Sequence, residues 1–374
     1  MLRMFFVVAG VSVVVSGCNF SSCDEIEHVV SAQTSEPGEV RSGIRLGATF
    51  PAVAARPGGG VVCVACSGLA RRDADLRDDG SIGSLDHPRN VALGPDGTAY
   101  TSVQLSREDL SSPIVYEVIA FEPAGGARWR ARLADSAIPQ RMVADAERVY
   151  VELPGSLIAL DSATGAVAWS RPDKLLGAAS EGVITAAGTT VRHLDRNGAA
   201  IWQRPMTSQS TVFTVHDAAA TPDGGAIVVA RAENTVDFGD RVLEGAPGRT
   251  LNFAVEIDPA GATRWAFKID AMLVEHVALA ESGEIFLAGL LDYRPDQGDW
   301  MDAFLALATR DGIVRMHRLG GPADQSVEDL LVSADGGAWV QVSSYGDEET
   351  PAPEIRIGGQ RLDEAGSYLL DIVP

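Results

Sequence analysis

Along most of the chain, short apolar runs of four to six residues alternate with two- to five-residue polar turns, a spacing of strands rather than helices. The turns repeat. "VAARPGGGVVCV" (53–64), "ALGPDGTAYTSV" (92–103), "AATPDGGAIVVA" (219–230), "ALAESGEIFLAG" (278–289) and "LVSADGGAWVQV" (331–342) share one plan: an apolar strand, a turn ending in glycine, and a second β-rich strand. "MVADAERVYVEL" (142–153) and "LGAASEGVITAA" (176–187) follow it less strictly, which makes seven first hairpins. The glycine marks the place where the turn needs positive φ, a conformation that costs any residue with a Cβ.

A second hairpin follows the first. "VIAFEPAGGARWRARL", "LIALDSATGAVAWSRP", "VRHLDRNGAAIWQRP", "FAVEIDPAGATRWAFKI" and "FLALATRDGIVRMHRL" each place a strand, an acidic or polar turn, a glycine and a fourth strand. In four of them the fourth strand carries a tryptophan: Trp129, Trp169, Trp202 or Trp265. The acidic residue suits a turn that accepts backbone N–H groups, and the tryptophans read as plates between stacked sheets. A four-stranded unit that is apolar on both faces cannot stand alone, so the copies are expected to pack face to face.

"LARRDADLRDDGSIGSL" (69–85) completes the first copy, while the last ends at "SYLLDIVP", a third strand with no fourth. "GIRLGATF" (43–50) has the length and polarity to supply it. Pairing the N-terminal strand with the last blade removes the open edges that invite aggregation. The expected fold is therefore all-β: a seven-bladed β-propeller of four-stranded antiparallel blades, closed by that pairing and occupying residues 43–374.

"ALDSATGAVAW" resembles the PQQ-like repeat of quinoprotein-type propellers. "NTVDFGDRVLEGAPGRTLNFAVEIDPAGATRWAFKI" is similar to the repeats of bacterial β-propeller repeat lipoproteins, the SBBP type. The resemblance implies the propeller fold and, through the PQQ-like repeat, a role like that of the propeller lipoprotein of outer-membrane β-barrel assembly. Quinoprotein dehydrogenases of this type carry adjacent cysteines and a calcium site. This chain has no adjacent cysteines, so no cofactor is expected.

The N-terminus adds a compartment. Arg3 precedes an apolar stretch, Met4 to Val15, of signal-peptide length and too short for a spanning helix. Val15, Ser16 and Gly17 before Cys18 resemble the lipobox of bacterial lipoproteins, which implies a signal peptide over 1–17, lipidation of Cys18 and a membrane anchor there. Asn19 after the cysteine points to the outer membrane. Residues 18–42, rich in Ser, Glu and small residues, read as a flexible tether.

Charge narrows the partners. A net charge of -21 disfavours nucleic acid and anionic lipid surfaces, leaving a protein or peptide of the envelope as the expected partner of a monomer. Cys63 and Cys66 in "CVAC" lack a second pair for zinc and read as buried thiols or a disulfide. The acidic loops 73–80 and 292–302 lack calcium-loop spacing and read as solvated turns. No HExxH, Walker A or GxSxG pattern is present, and His28, His87, His193, His216, His276 and His317 are scattered, so no catalytic residue is expected.

One constellation comes from aligning the repeats. Counting back from each hairpin glycine reaches the residue where the innermost strand begins, at one mouth of the central channel. That column reads Pro51, Arg89, Gln140, Lys174, His216, Glu275 and Glu328, and the next reads Ala52, Asn90, Arg141, Leu175, Asp217, His276 and Asp329. The polar members form the candidate binding rim, basic on copies two to four and acidic on copies five to seven. Three readings stand: a screened rim of paired charges, a dipolar surface that docks a peptide or envelope protein, and a metal held by His216 and His276. On the docking reading, Arg89, Arg141 and Glu275 are replaceable together without loss of the fold. The functional expectation is a non-enzymatic envelope lipoprotein acting as a binding or scaffold module. Alternatives are an outer-membrane assembly role and a metal- or quinone-dependent enzyme with its site at the mouth.

Overall fold

The computed structural model describes residues 4–8, 11–15, 27–31, 40–47, 52–56, 59–65, 68–74, 78–85, 88–105, 114–133, 138–208, 212–291, 301–321, 324–333, 335–345, 355–357, 360–362 and 366–373. Cys18, Cys23, Cys66 and Pro51 lie outside them, as do most of the acidic loop at 292–302 and part of that at 73–80.

The turn glycines fall in hairpins between paired strands of one sheet, as the repeat implied. Antiparallel four-stranded sheets follow in chain order. The first runs Val53–Ala55, Val61–Ala65, Gly68–Arg72 and Asp78–Ser84, and the second Pro88–Leu93, Ala99–Gln104, Tyr116–Phe121 and Ala127–Arg132. Arg141–Ala144 opens the third, Lys174–Ala179 the fourth, Phe213–Ala220 the fifth and Leu273–Leu279 the sixth. The described residues form no helix long and apolar enough to cross a membrane.

The last sheet takes its fourth strand from the other end of the chain. Asp324–Val332, Ala338–Tyr345 and Gly366–Ile372 are joined by Val40–Gly47, with Leu369 opposite Ile44 and Leu370 opposite Gly43. The closing strand thus starts at Val40, three residues before the expected stretch. The Arg41 guanidinium pairs with Asp371 at 2.7 Å and also with Asp335, which holds the closing strand to the last sheet. Within the expected tether, Glu27–Ser31 adds antiparallel to Val40–Gly47, and Val11–Val15 and Met4–Val8 continue that sheet outward.

First strands of successive sheets lie against one another, and Asp324–Val332 lies against Val53–Ala55. The crowding this creates explains their small residues: a Cβ on Gly177 would sit 2.2 Å from the Ala218 carbonyl oxygen. Away from the axis, tryptophans seal the seams. Trp129 Nε1–H donates to the Ser162 carbonyl at 2.8 Å, Trp169 to Arg196 at 2.9 Å and Trp202 to Gly224 at 3.0 Å, each acceptor belonging to the next sheet. Trp265 departs from this by stacking on Phe267 of its own strand, 5.3 Å between ring centres. Between the second and third strands of the fifth sheet, the segment resembling lipoprotein repeats forms Val236–Asp237 and Val242–Leu243, a ribbon paired with Thr207–Ser208.

Candidate functional site

The mouth of the axis is built from β-bulges. In the second sheet Asn90 opposes Ser102 and Pro88 opposes Val103, so Arg89 is the extra residue. His216, Glu275 and Glu328 are the extra residues of the fifth, sixth and last sheets. In the third, the N–H of Gln140 donates to the Glu152 carbonyl at 2.8 Å while Arg141 opposes the same residue. A bulge inserts one residue, bends the strand and re-aims the side chains beside it. Its recurrence turns a stack of sheets into a collar of directed polar groups.

The fourth sheet corrects the alignment. There Leu175 opposes Thr185 and Gly177 opposes Ile184, so the bulged residue is Leu176 and its successor Gly177. The hairpin that follows has only Ser180 and Glu181 between paired residues, against five residues, 221–225, in the fifth sheet. Counting back from the glycine therefore overshoots to Lys174 and Leu175. Lys174 leaves the axis and donates through Nζ to the carbonyls of Val215 at 2.9 Å and His216 at 3.3 Å.

A cavity of about 510 Å³ opens at this collar. It brings together Arg89, Asn90, Gln140, Arg141, Asp217, His276, Glu328 and Asp329 of the expected rim, above walls that include Ala52, Ala54, Val91, Met142, Leu330 and Leu331. Lys174, His216 and Glu275 are not among its lining residues. Gln341, on the second strand of the last sheet, also lines it and was missed. Its sequence signal is a lone amide in the apolar run "AWVQV".

The charges are bridged across the axis rather than left as two opposed sectors. Arg141 of the third sheet reaches Asp217 of the fifth at 2.6 Å, and the second Asp217 oxygen accepts the Val277 N–H of the sixth at 3.0 Å. Asp217 is buried. Burial pulls the Arg141 guanidinium down, yet Asp217 outweighs it and leaves Arg141 above its ordinary value. Arg141 therefore ties the third sheet to the fifth as well as lining the mouth.

Arg89 leans outward, 3.2 Å from Gln104 Oε1 and 5.8 Å from the centre of the Tyr116 ring. Asn90 Nδ2 donates to the Pro139 carbonyl at 2.7 Å. On the acidic side, burial holds the Asp329 carboxyl above the usual carboxylate range; His276 and Arg141 oppose the rise and Asp217 adds to it. Burial does the same to Glu275, helped by Glu328. His216 is pushed down to about 4 by burial and by the cations Lys174 and Arg231. Cys63 is buried as a free thiol, pushed up to about 12 by burial. Among the described residues, no three His, Cys, Asp or Glu side chains converge as a metal centre requires.

With sheets and collar in place, a protein-family model described as outer membrane protein assembly factor BamB matches residues 116–272. The propeller of Dos1 aligns over 90% of this chain and 94% of its own, at 9% identity and a TM-score of 0.50. The chain folds as a β-propeller and is similar to the BamB-type repeat over residues 116–272. BamB from Moraxella catarrhalis aligns with this propeller over 82% of the chain and 98% of its own, at 13% identity and a TM-score of 0.48. Quinohemoprotein alcohol dehydrogenase from Comamonas testosteroni aligns over 95% and 75%, at 12% identity and a TM-score of 0.46. No curated protein sequence matches the propeller.

Proposed function

We propose that this protein is a non-enzymatic lipoprotein of the cell envelope, anchored in the outer membrane through Cys18, whose seven-bladed propeller binds a protein or peptide partner at the channel mouth. Its domains on this reading are a signal peptide at 1–17, a tether at 18–42 and the propeller beyond. The single observation that carries the binding role is the collar: bulges in successive sheets aim side chains of unlike chemistry at one cavity, where packing alone would favour like residues. The family match to an outer membrane assembly factor favours a second, narrower form of the same reading, in which the partner belongs to β-barrel assembly.

A photoreactive amino acid at Gln140, an exposed collar position, tests this in the native envelope. One discrete protein adduct is expected there and none from Val314 on the outer edge of the sixth sheet. Equal labelling from both positions, or none from Gln140, overturns the docking site. Cys18→Ser is expected to move the protein out of the membrane fraction.

A further inference from the structure

Among the described residues, no side chain bonds either of two neighbouring polar groups of the collar. Asp329 and Gln341 face each other across the ladder of the last sheet, and both line the cavity. Asp329 Oδ1 accepts the N–H of Leu330 at 2.8 Å, and no side chain among the described residues bonds its other oxygen. Gln341 is only 2% exposed, yet its carboxamide has no hydrogen-bond partner among the described residues. An amide or a carboxylate withdrawn from water gains from a bonded partner, and the nearby charges of His276 and Arg141 only partly offset the burial of Asp329.

The rest of the mouth narrows what could satisfy them. Arg141 is neutralised by Asp217, and Arg89 is drawn outward by Gln104 and Tyr116. Glu328 lies beside Asp329, and Glu275 is near enough to Glu328 to be disfavoured by it, so the open sector is net acidic. An anion would meet Asp329 with Arg141 already engaged. Among the described residues, a bare metal ion would find no third carboxylate, thiolate or imidazole arranged for it. Below the polar groups, the alanine, methionine and leucine walls suit methylenes.

We infer that the channel mouth receives a cationic nitrogen head on an apolar stem, a lysine or arginine side chain from a partner's loop, whose N–H groups are shared between the Asp329 carboxylate and Gln341 Oε1. The inference rests on the binding role proposed above and names the chemistry of what enters. Asp329 supplies charge and Gln341 supplies direction; the apolar walls cover the stem.

The test uses the full-length protein and three peptides, acetyl-Gly-Arg-Gly-amide, its lysine counterpart and its citrulline counterpart, titrated by calorimetry or NMR. The arginine and lysine peptides are expected to bind at least tenfold more tightly than the citrulline peptide. Asp329→Asn and Gln341→Leu should each weaken the arginine peptide by about tenfold, while Glu281→Gln, at an exposed turn away from the cavity, leaves it unchanged. Circular dichroism confirms that each variant is folded, and Gln341→Leu decides the matter if Asp329→Asn is not. Equal affinity for citrulline, unchanged binding in the folded pocket variants, or an equal loss in Glu281→Gln overturns the proposal. Persistence of the Gln140 adduct alongside any of those results leaves the binding module standing and removes only the cation pocket.

Discussion

The tryptophan seams and the channel mouth come from the same repeat and follow opposite rules. At three consecutive seams the same residue type makes the same bond, an indole N–H to a carbonyl of the next sheet. At the mouth, equivalent bulge positions hold Arg89, Gln140, Leu176, His216, Glu275 and Glu328. Where every copy faces the same neighbour, one solution serves all; at the mouth the copies diverge, with Arg89, Gln140 and Glu328 lining the cavity and Leu176 packed in the core. The uniform column belongs to the scaffold, and the mixed column to the surface proposed to bind a partner.

Four measurements probe this contrast, beginning with the largest expected effect. Gly165 has a φ of 73°, and a Cβ there would lie 2.6 Å from the Trp129 ring. Gly165→Ala should therefore cost about 3 kcal/mol in denaturant unfolding, from backbone strain and the displaced indole. A change below about 1 kcal/mol would show that the seam is loose. At the mouth, Arg141→Ala leaves Asp217 buried without its cation. Allowing for the partial exposure of the arginine, about 2 kcal/mol is expected, partly recovered in the double variant Arg141→Ala/Asp217→Ala.

Acid sensitivity comes next. The folded state holds His216 near 4, against 6.5 for the free group, so the unfolded chain binds more protons between those values. Stability should fall as pH drops through about 6.5 and level off below about 4, by about 1–2 kcal/mol after solvent screening. His216→Asn should remove that part of the pH profile, and an unchanged slope would place the acid sensitivity elsewhere. The smallest effect belongs to Gln140→Ala, whose exposed side chain should contribute less than about 0.5 kcal/mol in denaturant unfolding.

The fold was legible because its signals are local. Turn glycines and the apolar period report on residues within a dozen positions of one another, and the seam tryptophans recur in register. Most of the collar followed from the same period, but its failure at the fourth copy has a local cause too: a two-residue turn replaces a longer one, so a fixed count from Gly182 lands two residues early. Gln341 escaped because the alignment followed first strands, whereas this side chain reaches the axis from a second strand. The pairing of Arg141 with Asp217 spans 76 positions and depends on the curvature of the ring, which no periodicity encodes.

The latch between Val40–Gly47 and Gly366–Ile372 joins segments separated by some 320 positions, Gly47 and Ser367 being directly opposed. Such a contact is the slowest kind to form and waits until the final strand has been synthesised. The nascent protein thus spends its translation as an open array of sheets. Once locked, a pull on the N-terminal side loads the latch along its strands, so its hydrogen bonds resist together in shear instead of unzipping singly.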